Sequence, residues 1–359
     1  MRILAFPGFA NAYNSVRPEV ETFIGLANKG HDVTVMIPEG SNALRYYQDA
    51  GIKVLFGYPK RKVCLETIKA LRAELKLHDY DVVYATNSKT IPNAAFACIG
   101  LPVKLVAYRG TTGGLYRHDP SAYLTMLHPR VDGVICVSEA VRQDILQQVW
   151  KGKDQVVTIH KGHNLDWYQH TAADLSEFGV TDNDFTVVCA CNVRPSKGIE
   201  VMLTAAEQLT DLTNFHLLLV GKGLDQEPYR SLIAQHPMKD RIHVTGYRKN
   251  APEIITACDV LVQPSISGEG LPRAVMEAMS CGTPTIVTTT GGGKEVVVDG
   301  STGFVVPVKD ANAIAEKVRF FHRNPQSITE FGVAGKAKLV NEFSTKNTVD
   351  KFEQYFQQL

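Results

Sequence analysis

The sequence predicts an α/β protein built as two doubly wound, Rossmann-like domains facing one another across a cleft, and three observations carry that expectation. The chain has 359 residues, too many for one comfortable hydrophobic core and about right for two domains. Short apolar, strand-like runs alternate with helix-length amphipathic stretches along the whole chain, the pattern of a parallel sheet covered by helices. A polar, loop-like stretch over 162–184 divides the alternation into two series of similar length.

The first series opens with an apolar strand over 2–6 that stops at Pro7-Gly8, then a helix over 16–29 closed by Gly30. A strand over 32–37 completes a βαβ opening. Further strands are expected over 53–56, 82–85, 104–108, 133–137 and 156–160, with helices over 65–77, 93–99 and 139–149. The second series has strands over 185–190, 216–220, 242–245, 260–263, 285–288 and 303–306. Its helices fall over 198–209, 229–236, 251–257, 273–280 and 311–323. Domains are therefore expected over 1–165 and 166–345, with a last helix over 346–359 packing back across the interdomain face.

Composition narrows the function. With 44% hydrophobic and 21% charged residues and a mean hydropathy of −0.09, the chain is globular and soluble in type. No apolar run approaches the ~18 residues that span a bilayer, and Met1-Arg2-Ile3-Leu4-Ala5-Phe6 runs into a glycine turn, so a cytoplasmic location is expected. The net charge of +1 excludes a general nucleic-acid binder. Residues 1–165 carry 20 basic against 14 acidic side chains and the remainder 18 against 23, so an acidic partner should meet the first half. The seven cysteines include no CxxC pair and are read as buried free thiols, Cys189 and Cys191 among them as core residues of one strand face.

The most specific signal is Gly268-Glu269-Gly270-Leu271-Pro272-Arg273-Ala274-Val275-Met276-Glu277. Pro272 suits the start of a helix, leaving Glu269 in the preceding loop and Glu277 more than a turn inside. Free backbone N–H groups at such a helix start favour a diphosphate, and glycines let the chain approach it. Carboxylates accept from vicinal hydroxyls, so one glutamate can hold a hexose and the other a ribose. The blander reading is that Glu277 is a good helix former and Glu269 a common loop residue.

These residues resemble the EX7E signature of GT-B glycosyltransferases, in particular the retaining family 4 group (glycosyltransferase group 1), and the likeness covers nearly the whole chain. Lys29-Gly30-His31-Asp32-Val33, Cys136-Val137-Ser138-Glu139, Gly291-Gly292-Gly293-Lys294-Glu295 and Asp299-Gly300-Ser301-Thr302-Gly303 add to it. The resemblance implies a GT-B fold and transfer of a sugar from a UDP- or GDP-type nucleotide sugar, without a cofactor or metal, to a saccharide or lipid-linked acceptor. Lipopolysaccharide, exopolysaccharide or other glycoconjugate synthesis is the implied setting. It places donor phosphate on a basic pair after the first strand of the second domain, where Lys197 before Gly198 matches. The usual arginine position is Asn192 here, with Arg194 two residues nearer. By the same resemblance Glu269 contacts the transferred sugar, Glu277 the ribose, and Gly221, Tyr247 and Arg248 lie near the base.

The N-terminal half should hold the acceptor. Gly8 and its neighbours Phe9-Ala10-Asn11 follow the first strand and face the cleft, Gly8 within reach of the donor; the glycine pair common in the family is missing. Many members have a histidine after the fourth strand; here Arg109 stands at about that place and His118 a little further on, so both are candidate catalytic residues. Lys60-Arg61-Lys62, followed by Leu65, Ile68, Leu71 and Leu75 interleaved with Lys69, Arg72 and Lys76, reads as a basic helix able to rest on anionic lipid at the inner face of a membrane, or as an ordinary surface helix. Asp182-Asn183-Asp184 is better explained as a turn than as a metal-diphosphate motif. A sugar-nucleotide 2-epimerase and a non-catalytic nucleotide-sugar-binding module remain the competing readings.

Overall fold

A computed structural model describes residues 1–8, 13–150, 152–168 and 171–359. It contains two compact units, one of Met1–Gly162 with Phe343–Leu359 and one of His163–Glu342. In chain order the first unit comprises β1 (Arg2–Phe6), α1 (Tyr13–Asn28), β2 (Asp32–Ile37), α2 (Leu44–Asp49), β3 (Lys53–Phe56), α3 (Leu65–Leu77), β4 (Val82–Ala85), α4 (Thr90–Ala97), β5 (Lys104–Arg109), β6 (Gly133–Cys136), α5 (Glu139–Gln148) and β7 (Val156–Thr158). The second comprises β8 (Phe185–Ala190), α6 (Ile199–Glu207), β9 (Phe215–Val220), α7 (Tyr229–Ala234), β10 (Ile242–Gly246), α8 (Ala251–Ala257), β11 (Val260–Gln263), α9 (Arg273–Cys281), β12 (Thr285–Thr288), α10 (Gly293–Val296), β13 (Gly303–Val306), α11 (Ala311–Arg323) and α12 (Gln326–Glu342). The chain then returns to the first unit as α13 (Thr345–Gln358).

Every ladder is parallel, in the orders β3-β2-β1-β4-β5-β6-β7 and β10-β9-β8-β11-β12-β13. The central strands are Val/Ile/Leu-rich and covered on both faces, as parallel strands are; all four residues of β4, β11 and β12 are buried, whereas the edge strand β3 is partly exposed. Strand order reverses at β1 in one sheet and at β8 in the other, and the carboxyl ends flanking such a reversal are where open α/β sheets bind ligands. In the second unit the loops leaving β8 and β11 are thereby neighbours, with Leu261 paired to Val188.

Every strand expected from sequence is present, and the differences lie in the helices. Helix α4 begins at Thr90, not at 93, because the Asn87 carboxamide accepts the Lys89 and Thr90 N–H groups. Three helices, α2, α10 and the 17-residue α12, come in addition. Helix α12 carries Gly332 in its interior because a Cβ there would lie 2.0 Å from the Gly282 carbonyl oxygen. Of the apolar stripe of α3, Leu71 and Leu75 are buried, Ile68 is half-buried and Leu65 exposed, while Arg72 donates to the carbonyls of Ala97 and Ile99. Lys69 and Lys76 are exposed on the helix, as are all three residues of the preceding Lys60-Arg61-Lys62 loop. Of the cysteines, four are buried and Cys64, Cys191 and Cys281 partly exposed.

The last helix belongs to the first unit. Ser344 caps it by accepting the Asn347 N–H, and Thr348 Oγ1 donates to the His160 carbonyl and accepts the Gly162 N–H at 2.9 Å each. Phe352 enters an aromatic cluster with Phe23 and Tyr84, and the Tyr355 hydroxyl donates to the Gln155 carbonyl at 2.7 Å.

Candidate functional site

Within the second unit the loop after β8 is bound to its neighbours before it reaches any charged residue. Cys191 N–H donates to Val220 O and Val193 N–H to Lys222 O. Gly221, at φ +145°, lies against the Cys191 carbonyl so closely that a Cβ would sit 1.8 Å from that oxygen. Asn192 is exposed, and its carboxamide oxygen accepts the Lys222 N–H at 3.3 Å, a turn-bracing contact. Arg194 is exposed and has no ion-pair partner among the described residues. The loop ends at Gly198, φ +67°, where a Cβ would meet the Pro264 carbonyl at 2.1 Å; this close approach brings the β8 and β11 loops together.

That approach sets Lys197 beside Glu269. Lys197 Nζ donates to Glu269 Oε1 at 2.5 Å, as do Ser265 Oγ at 2.5 Å and Gln263 Nε2 at 3.3 Å. Glu269 is only 7% exposed, and these partners keep a buried carboxylate from standing alone. Ser265 and Gln263 were not among the expected residues. Gly270 accepts the Gly292 N–H at 2.8 Å, which couples this loop to the glycines at 291–293. Gly268, at φ +73°, turns the chain ahead of Glu269, and Leu271 leads to Pro272, whose carbonyl accepts the Val275 and Met276 N–H groups at 3.2 Å each.

One turn into α9, Glu277 is 9% exposed and pairs with Arg273 Nε at 3.1 Å. Burial raises its pKa above the usual carboxylate range, partly offset by Arg273. Behind Arg273 lies His163, buried against Trp167 and with Nδ1 2.7 Å from the Tyr168 hydroxyl. Burial, then the nearby Arg273 charge, pushes His163 down to about 3, so its imidazole is neutral at neutral pH. At the far edge, Lys222 Nζ stands 4.9 Å over the exposed ring of Tyr247. Arg248 donates to Glu177 at 2.8 Å and lies over Phe178.

Two family models together match most of the chain: "Glycosyl transferases group 1" over residues 172–338 and "Glycosyltransferase Family 4" over 21–167. The chain belongs to the group 1, family 4 type of glycosyltransferases. Among curated relatives it is 23% identical to the N-acetyl-alpha-D-glucosaminyl L-malate synthase of Bacillus anthracis, over 91% of this chain and 89% of that one. It is also 23% identical to the UDP-Gal:alpha-D-GlcNAc-diphosphoundecaprenol alpha-1,3-galactosyltransferase of Escherichia coli, over 95% and 92%. Its fold matches that of HepE from Anabaena, solved with UDP-glucose, at a TM-score of 0.79 and 20% identity with both chains fully covered. The fold is thus GT-B.

In the first unit of this glycosyltransferase the other expected residues are dispersed. Gly8 closes β1 against the Asn87 side chain, where a Cβ would lie 1.7 Å from Nδ2; Phe9, Ala10 and Asn11 lie outside the described residues. Arg109 ends β5 and holds its own loop, donating to the Thr111 carbonyl at 2.9 Å and to that of Gly113. Asp144 fixes the same loop by accepting the Gly113 N–H at 2.9 Å. His118 is exposed and stacks on Tyr116 at 5.3 Å. Asp184 of the DxD stretch accepts the N–H and hydroxyl of Thr181, the contacts of a turn.

Proposed function

We propose that this glycosyltransferase is a retaining, metal-independent hexosyltransferase that takes its sugar from a UDP- or GDP-linked donor and passes it to a saccharide or lipid-linked acceptor in lipopolysaccharide, exopolysaccharide or other glycoconjugate synthesis. The observation that carries the reading is the meeting of Lys197, Glu269 and the start of α9 at the strand-order reversal of the second sheet. The N–H groups opening α9, with Arg194 and Lys197, take the diphosphate. Glu269 accepts from hydroxyls of the sugar. Glu277, a desolvated carboxylate with Arg273 as its charged neighbour, accepts from the ribose. Gly221, Tyr247 and Arg248 border the base, and Asn192 braces the turn that carries Arg194.

In the transfer, the bond from the anomeric carbon to the β-phosphate oxygen breaks and a bond to the acceptor hydroxyl forms on the same face. The hydroxyl proton passes to the departing phosphate, whose growing charge the two cations neutralise. Acceptor recognition falls to the first unit, with Gly8, Arg109 and His118 as the residues to probe, and the exposed Lys60-Arg61-Lys62 loop provides peripheral contact with anionic membrane. HepE with UDP-glucose, and the E. coli relative whose name gives a UDP-sugar donor and a diphosphoundecaprenol acceptor, support a uridine donor and a lipid-linked acceptor.

A thermal-shift screen of nucleotide sugars, followed by chromatography of the hydrolysis products of the best one, identifies the donor. Glu269→Ala and Lys197→Ala each abolish transfer while melting as the wild type does, and transfer persists in EDTA. Full activity in either variant removes the site, and loss in EDTA removes the metal-independent mechanism.

A further inference from the structure

The three donors on Glu269 all reach the same oxygen. Lys197 Nζ, Ser265 Oγ and Gln263 Nε2 meet Oε1, whereas Oε2 has no partner among the described residues and is not sealed from solvent. The brace is itself rigid. Ser265 is fully buried, its Oγ accepts from Gln263 Nε2 at 2.8 Å, and its carbonyl accepts from Thr288 Oγ1 at 2.6 Å. Gln263 is the last residue of β11, so the brace is anchored in the sheet. On the opposite side Gly291, at φ +50°, lies so close that a Cβ would be 2.1 Å from the Glu269 carbonyl oxygen. A carboxylate held by one oxygen has lost its torsional freedom before any ligand arrives, and its second oxygen then faces a fixed direction.

We infer that Ser265 and Gln263 are positioning residues which, with Lys197, lock Oε1 of Glu269 and present Oε2 to a hydroxyl of the transferred sugar. The inference rests on the donor reading above and adds to it the selection of hydroxyl orientation. Only a sugar whose hydroxyl points along the fixed Oε2 direction donates a full-strength bond, and its epimer leaves a buried carboxylate oxygen unpaired. Lys197 on this account balances the Glu269 charge as well as meeting phosphate.

The test measures the sugar's share of donor affinity. UDP-glucose, UDP-galactose, UDP-N-acetylglucosamine and GDP-mannose are titrated calorimetrically without acceptor, and the tightest is compared with its own nucleoside diphosphate. Ser265→Ala is expected to cut the ratio of the two Kd values about tenfold with the diphosphate Kd unchanged, and Gln263→Leu about threefold, in keeping with its longer bond. In a Glu269→Ala background neither change has any further effect, whereas a merely structural role would weaken diphosphate binding and add to the loss. Should Ser265→Ala melt early, Gln263→Leu carries the same comparison. An unchanged ratio in both brace variants, with a lowered ratio in Glu269→Ala, overturns the brace and keeps the donor reading. An unchanged ratio in Glu269→Ala, or no binding of any of the four donors, ends both.

Discussion

His163 shows how a single side chain of this protein is placed by its surroundings more than by its sequence. Nothing in Lys161-Gly162-His163 distinguishes a buried histidine from an exposed one, yet the fold encloses it against Trp167 and Tyr168 beside Arg273. Its folded-state pKa of about 3 lies below the ordinary value near 6.5, so between those values the unfolded chain binds the extra proton and the folded one does not. Stability is therefore lost as pH falls from about 6.5 toward 3, by about 1.4 kcal/mol per pH unit from this group alone. His163→Gln should show a shallower loss of urea-unfolding free energy between pH 6 and pH 4 than the wild type, by roughly that slope. Identical slopes would mean that the imidazole is as free to protonate in the folded protein as in the unfolded one.

At the scale of elements, α13 earns its place by what it covers. Phe352 fills the space beside Phe23 and Tyr84, Val349 lies where a side chain on Gly25 would collide, and Tyr355 sits over Gly133. Phe352→Ala should cost about 3–5 kcal/mol of stability, read as a lowered denaturant midpoint; a cost under about 1 kcal/mol would mean that the first unit holds together without the helix. Such packing also explains which parts could be read beforehand. The strands were legible because each is a compact apolar run stopped by polar or glycine-rich turns. Helix α12 was not, since its side chains show only a weak apolar stripe and its two glycines argue against a helix until Gly282 and Met279 are set beneath them. In the site, Glu269 and Glu277 stood out by charge and spacing, and Lys197 by the family resemblance. Ser265 and Gln263 are a common hydroxyl and a common amide whose role exists only once β11 and the following loop fold over Glu269.

On the scale of the whole molecule, the charge is divided along the chain: the amino-terminal half carries the basic excess and the remainder the acidic one. No helix among the described residues is long and apolar enough to cross a membrane, and the proposed contact with anionic lipid is made by an exposed loop. Lys60-Arg61-Lys62 is suited to that because the loop is held open. The buried Asn93 donates to the carbonyls of Arg61 and Lys62 and accepts the Cys64 N–H, which leaves the three cationic side chains exposed ahead of Val63 and Leu65. Each cation near an anionic bilayer contributes about 1 kcal/mol, so replacing all three with alanine should weaken binding to phosphatidylglycerol-rich vesicles by roughly a hundredfold at low salt. The attraction should fade in 0.5 M NaCl, where the screening length shrinks to a few ångströms, and should vanish on phosphatidylcholine alone. Co-sedimentation that is equal for wild type and variant, or indifferent to salt, would take this loop out of membrane contact.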